Sequence, residues 1–243
     1  MSIEKDVLDI GYSLMTILRE KAPGTHAHSK DVSDLVETLG KELGLNTEHL
    51  KIAGMYHDIG KSINPEYFGE NQTDGENALN KLEPWVAYRV ITAHVGDTTQ
   101  ILVNDKYIPR EVIEWCSQHH GTTVVKYFYN KSGATNVDNY RYKCSKPESL
   151  EAGLLMICDH LEARARSLSQ ADKLDDVEEL VEIVLTELMN DEQLDNITLK
   201  LGHLRQIKDV LKRELRSKYH KRVDYDKAKE AMKQPEEIEN AEE

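Results

Sequence analysis

Residues 153–168 read "GLLMICDHLEARARSL", an apolar helical stretch that nevertheless sets Asp159 among its hydrophobic residues. Burying a lone carboxylate there costs on the order of several kcal/mol unless a cation or several donors meet it. An arginine partner or a cap on a neighbouring helix would serve. A metal becomes the stronger reading if other helices bring imidazoles and a second carboxylate to the same place. The stretch "MYHDIGK" (55–61) offers both at once. Adjacent side chains on a helix diverge by about 100°, so His57 and Asp58 reach one object only if it lies between their two directions, as an ion would.

Outward from these two segments, helical periodicity dominates. A helix is expected over 4–21, with Val7, Ile10, Leu14, Ile17 and Leu18 on one face. A second starts near His28, carries Val32, Leu35, Val36, Leu39 and Leu43, and closes at Gly44. A third runs from Thr47 to Ile59 with Asn46 as its cap. The turn-rich 62–82 reads as a loop. Helices follow near 84–95, 109–120, 147–168, 173–189 and 198–220, and 121–146 reads as a loop with one extra helical turn. The fold expected is all-α, a single helical domain over 1–225 with an acidic, frayed tail over 226–243.

The chain has 243 residues, enough for a sizeable core. Its net charge of −13 makes a nucleic-acid polymer or an anionic membrane an unfavourable partner. A small anionic substrate remains possible where a bound cation outweighs the distant field. Cys116, Cys144 and Cys158 are odd in number and lack CxxC spacing, which points to a reducing cytoplasm rather than a disulfide framework. No signal peptide is expected, and no window reaches the roughly 18–20 apolar residues of a spanning helix.

Of ten histidines, His26, His28, His57, His94, His119 and His120 lie at or near helix ends or loops, beside small or polar residues. Imidazole and carboxylate together suit manganese, iron or zinc. The lack of paired cysteines argues against a closed structural zinc site. One carboxylate can bridge two cations roughly 3.5–4 Å apart, an arrangement that activates water for attack on phosphorus.

The pattern His28, His57-Asp58, Asp159 resembles the signature of the HD-domain phosphohydrolases. The likeness extends through "GTHAHS", "YHDIGK", "YFGENQ", "ITAHVGD", "QHHGTTVVKYFY", "RYKCSKPES" and "ICDHLEARARSL" to "YHKRVDY". In order and spacing these are similar to the cytoplasmic catalytic domain of the seven-transmembrane HD receptors, which hydrolyse cyclic di-AMP to pApA. That resemblance implies an HD-domain bundle with a two-metal site, loaded with manganese or iron. One metal would be held by His28, His57, Asp58 and Asp159, the other by His94, His119 and His120, with Asp58 bridging.

By the same resemblance Asp58, Lys61 and Arg166 are catalytic, Lys61 and Arg166 facing phosphate. Two helical turns separate Arg166 from Asp159, which puts both on one face. Glu162 orients a ligand histidine, contacts substrate or pairs with Arg166. Asp97 orients His94, and Thr122, Thr123 and Tyr127 line the nucleotide pocket, although Tyr127 also suits the core. His26 is a bystander. Thr98 and Cys144 depart from the family pattern in loops rather than at ligands. Alternatives are a cyclic di-GMP hydrolase, disfavoured because "HHGTTVV" lacks its Gly-Tyr-Pro stretch, and a mononucleotidase, which needs only the four-residue set. A non-catalytic dinucleotide-binding module would be expected to have lost a ligand.

Overall fold

The computed structural model describes residues 6–72 and 78–233, with side chains of the last helix described as far as Tyr219. Among the described residues the helices are α1 (Ser13–Lys21), α2 (Pro23–Leu43), α3 (Thr47–Tyr56), α4 (Pro84–Val103), α5 (Arg110–Gln118), α6 (Lys126–Ser132), α7 (Leu150–Gln170), α8 (Val177–Asn190) and α9 (Leu201–Lys233). Short 3-10 turns fill much of the chain between α3 and α4. The described residues contain no β-strand, only an isolated antiparallel bridge between Val124 and Arg141.

Helix α7 is the central element. Ser149 caps it, its hydroxyl accepting the Ala152 amide at 3.1 Å. Leu154, Leu155, Met156, Ile157, Cys158, Leu161 and Ala165 are buried, as expected of a helix apolar on nearly every side. It packs against α2, α3, α5 and α8, while α9 lies on α2 and α8. Local signals set the ends: the Asn46 side chain accepts the His49 amide at the start of α3, and α2 stops at Gly44 in the left-handed region. A smaller cluster of Leu79, Ala87, Tyr88, Phe128 and Tyr140 fixes α6 against α4.

Some boundaries differ from those expected. Helix α1 starts at Ser13, and Ile10 is 68% exposed. The Asp6 and Asp9 carboxylates accept the amides of Leu8 and Gly11, local bonds that compete with a helix. Helix α2 starts at Pro23, well before His28, because proline suits the first helical position. Helix α4 runs to Val103, and 121–146 holds the two-turn helix α6 and a 3-10 turn at Val137–Tyr140. The expected boundary at 225 falls inside α9, which continues to Lys233; residues 234–243 lie outside the described residues.

Candidate metal centre

Three helices and two helix exits converge on one buried point. His28 comes from the second turn of α2, His94 from the middle of α4, and Asp159 from α7. His57 caps the end of α3, and Asp58 then leaves helical geometry at φ −112°, ψ 13°. The expected continuation of α3 to Ile59 therefore fails, and this break frees His57 and Asp58 from the fixed 100° offset of neighbours on a helix. The 3-10 turn Ile59–Ser62 follows, with the Gly60 amide donating to Thr98 Oγ1 at 2.9 Å. A Cβ on Gly60 would lie 2.2 Å from the His94 carbonyl oxygen, so only glycine lets the turn sit on α4. His119 caps α5 and His120 follows it.

Asp58 sits between two sets of imidazoles. Its Oδ2 lies 3.7 Å from His28 Nε2 and 3.3 Å from His57 Nε2; its Oδ1 lies 3.2 Å from His94 Nε2 and 3.6 Å from His119 Nε2. Asp159 Oδ1 is 3.0 Å from His28 Nε2 and 3.5 Å from His57 Nε2, and Oδ2 is 3.6 Å from His120 Nδ1. Two groups with ligand atoms within 4.8 Å of one another share Asp58: His28, His57, Asp58 and Asp159, and Asp58, His94, His119 and His120.

Ring orientation follows from hydrogen bonding on the far side. His57, His94 and His119 donate Nδ1–H to the carbonyls of Gly54, Ile91 and Cys116, at 2.8, 2.6 and 2.6 Å. A carbonyl only accepts, so Nδ1 carries the proton and Nε2 faces the cluster. His28 Nδ1 donates to the Glu162 carboxylate instead.

The donor set fits divalent cations. His57 Nε2, both Asp58 oxygens and His120 Nδ1 are buried without a well-directed hydrogen bond, although Lys61 Nζ stands 2.7 Å from Asp58 Oδ2. Orphaned buried polar atoms cost about 1–3 kcal/mol each. Burial by itself would lower the His57 pKa, but Asp58 and Asp159 outweigh it and push it up to about 10. Burial, reinforced by His119, drives His120 well below the usual histidine range. Burial opposes ionisation of Asp58 as well, yet Lys61 and His57 hold its carboxyl well below the usual range. The cluster thus sets ionised carboxylates beside inward-facing imidazole nitrogens, and a cation binding at His57 would displace the proton that Asp58 and Asp159 hold there.

The HD domain family model matches residues 25–164, which include every member of both groups. The chain belongs to the HD domain family. The cyclic-di-AMP phosphodiesterase PgpH of Listeria monocytogenes serotype 1/2a (strain 10403S) is 34% identical to it over 218 residues, covering 88% of this chain and 30% of that protein. The PgpH of Bacillus subtilis (strain 168) is 30% identical over 226 residues, covering 91% and 32%. This chain therefore spans about a third of the length of those curated relatives. The crystal structure of the L. monocytogenes phosphodiesterase PgpH HD domain in complex with cyclic-di-AMP matches with a TM-score of 0.79 and 31% identity, over 87% of this chain and 100% of that one. Among the described residues no helix is long and apolar enough to cross a membrane.

A cavity of about 820 Å³ opens onto the HD cluster. His28, His94, His120, Asp159, Lys61 and Arg166 line it. Lys61 Nζ lies between Asp58 Oδ2 and Glu70 Oε1, the latter at 2.9 Å. Arg166 lines the cavity with its guanidinium paired to Glu162 at 2.7 Å and Asp31 at 2.5 Å. Glu162, 1% exposed, both orients His28 and pairs with Arg166. His94 is oriented by the Ile91 carbonyl rather than by Asp97.

Thr122, Thr123 and Tyr127 do not line the cavity. The Thr122 amide donates to Gln193 at 2.9 Å and the Thr123 hydroxyl to the His120 carbonyl at 2.8 Å, so both secure the turn that carries the double histidine. Tyr127 is 60% exposed, because α6 turns Phe128 inward instead. His26 belongs to neither metal group. Thr98, marked only as a departure, is buried and accepts the Gly60 amide.

Four cavity residues make contacts at the cluster that sequence reasoning missed. His160 stands beside His120 and Asp159, and the "CDH" triplet was its only signal. Tyr142 stacks on His120 with ring centroids 4.3 Å apart. Phe68 packs edge-on to His94, with Lys61 5.1 Å from its ring. Glu70 pairs with Lys61. The last two lie in "YFGENQ", where composition signals only a turn.

Proposed function

We propose that this HD domain hydrolyses cyclic di-AMP at one phosphodiester to give linear pApA, with two divalent transition metals as cofactors. The observation that carries the reading is Asp58, whose two oxygens face different histidine pairs. His28, His57, Asp58 and Asp159 would hold one cation, and His94, His119 and His120 would hold the other with the shared Asp58. Bound there, the cations would supply Lewis acidity at the phosphoryl oxygens and a water activated for attack on phosphorus. Manganese or iron suits the donors, which are imidazole and carboxylate with no thiolate.

Lys61 offsets charge that develops on the phosphate, from its place beside Asp58. Tyr67, Phe68 and Tyr142 give the cavity apolar faces for nucleobases, and its volume suits a ligand of dinucleotide size. Arg166 contributes through Glu162 and hence through the setting of His28. The −13 net charge keeps polymeric nucleic acid a poor ligand. Free, largely buried cysteines favour the cytoplasm as the working compartment. The substrate itself is supported by the relatives, both named for cyclic di-AMP, and by the matching domain's complex. Retention of all seven donors favours an enzyme over a binding module.

The test is incubation of manganese-loaded protein with cyclic di-AMP, cyclic di-GMP and pApA, with products resolved by chromatography. Cyclic di-AMP should convert to pApA, and cyclic di-GMP should turn over far less well. Equal turnover of the two cyclic dinucleotides, or a preference for mononucleotides, would overturn the substrate assignment.

A further inference from the structure

We propose that Lys218, on α9, is a positioning residue that sets the affinity of the cation group containing His28 and leaves the other group untouched. The inference rests on the two-metal reading above. It starts from Glu162, whose carboxylate accepts His28 Nδ1, Arg166 at 2.7 Å and Lys218 Nζ at 3.1 Å. Asp31, one turn beyond His28 on α2, meets the same two cations, with Lys218 Nζ at 2.6 Å. Two carboxylates and two cations thereby form a closed square joining α2, α7 and α9.

Within this square Glu162 does the orienting. It is the acceptor that holds the His28 proton on Nδ1 and turns Nε2 toward Asp159 and Asp58. Arg166, four residues along the same helix, fixes the carboxylate only from its own side. Lys218 supplies the donor from a different helix and balances the second negative charge. Without it, Glu162 and Asp31 share one cation, and Glu162 is free to tilt with the His28 ring. Loss of the outer partner of a ligand histidine weakens metal binding about 10–100-fold, and Lys218, which acts on that partner rather than on His28 itself, stands at the low end of the range.

The effect is confined to one group because the other is oriented differently. His94 and His119 lean on carbonyls of their own helices, Ile91 and Cys116, and neither touches α9 in doing so. A second cavity of about 270 Å³, lined by Asp31, Arg166, Gln170, Lys218 and Tyr219, adjoins the square. It leaves room for a longer guanidinium, so arginine can replace Lys218.

The experiment is calorimetric titration of manganese into the metal-stripped full chain. The wild type should bind in two steps, one of which is lost in His28→Ala. Lys218→Met should weaken that same step about tenfold and leave the other within about twofold. Lys218→Arg should restore it, and Lys212→Met, a change on the same helix that breaks a pair with Glu182 of α8, should leave both steps as they are. Thermal melting of each stripped variant checks that the fold is intact. Equal weakening of both steps, no weakening, or failure of arginine to restore the step would overturn the proposal. A wild type that binds a single ion would refute the two-metal reading, and the role of Lys218 would then stand or fall on whether Lys218→Met weakens that one ion.

Discussion

Replacing Gly24 with alanine should destabilise the protein, although the same change early in an ordinary helix stabilises it. Gly24 lies in the first turn of α2, where alanine is favoured by about 1 kcal/mol. Here a Cβ would sit 1.8 Å from the Glu70 carbonyl oxygen, 2.4 Å from its carbon and 3.0 Å from the Asn71 nitrogen. All three are backbone atoms, so the 69–71 turn itself must back away, by about 1.5 Å to regain ordinary contact. That displacement breaks the joint it now makes with α2. The Thr25 amide donates to Asn71 Oδ1 at 3.0 Å, Asn71 Nδ2 donates to Thr25 Oγ1 at 2.8 Å, and the Thr25 hydroxyl donates to Glu70 at 3.2 Å. At about 1 kcal/mol each, their loss outweighs the gain in propensity and leaves about 2 kcal/mol of destabilisation. Urea unfolding of the metal-stripped protein measures it, and turnover by the manganese-loaded protein should fall as Glu70 is drawn from Lys61. An alanine variant that is more stable than wild type, with unchanged turnover, would refute the reasoning.

Lys61→Ala should lower cyclic di-AMP turnover by about 10²-fold, the loss typical of one donor to developing charge, with metal content by elemental analysis unchanged. Asp58→Ala should strip both cations and abolish turnover while the circular dichroism spectrum stays helical; retention of either ion would show that Asp58 is not shared. Asn46→Ala removes the α3 cap and should cost about 1 kcal/mol in urea unfolding, with no change in turnover once the cations are bound.

Much of the centre was legible because its parts are written locally. Asp159 in an apolar run, "HD" at the end of a helix and "HH" before a glycine each mark a residue that the neighbouring sequence alone makes unusual. What stayed hidden depended on which partner won a shared side chain. Arg166 does lie on the Asp159 face, as the two-turn spacing requires, but Glu162 is one turn closer and Asp31 approaches from α2. Tyr127 and Phe128 both suited an interior, and only the roll of α6 onto α4 decided between them. Glu70 and Phe68 act through a turn whose docking on α2 no periodicity encodes. The hydrophobic spacing at Val7 and Ile10 suggests an earlier start for α1, but the turn-forming Asp6 and Asp9 beside them prevail.

The division between local and remote control has a physical origin in the acceptor that each imidazole takes. The last carbonyls of a helix lack intrahelical partners, and His57 and His119 sit at such ends, where the Gly54 and Cys116 carbonyls are at hand. His94 lies within α4 and uses the second lone pair of the Ile91 carbonyl. His28, in the second turn of α2, turns its Nδ1 away from the carbonyls of its own helix and toward α7. Its acceptor therefore comes from another helix, in the form of Glu162. A buried carboxylate in that role needs counter-cations of its own, and Arg166 and Lys218 supply them. Three ligand orientations are thus carried by the residues immediately before each histidine, while the fourth depends on α7 and α9 being docked. A substitution far along the chain, on α9, has a route to the His28 group that it lacks to the other.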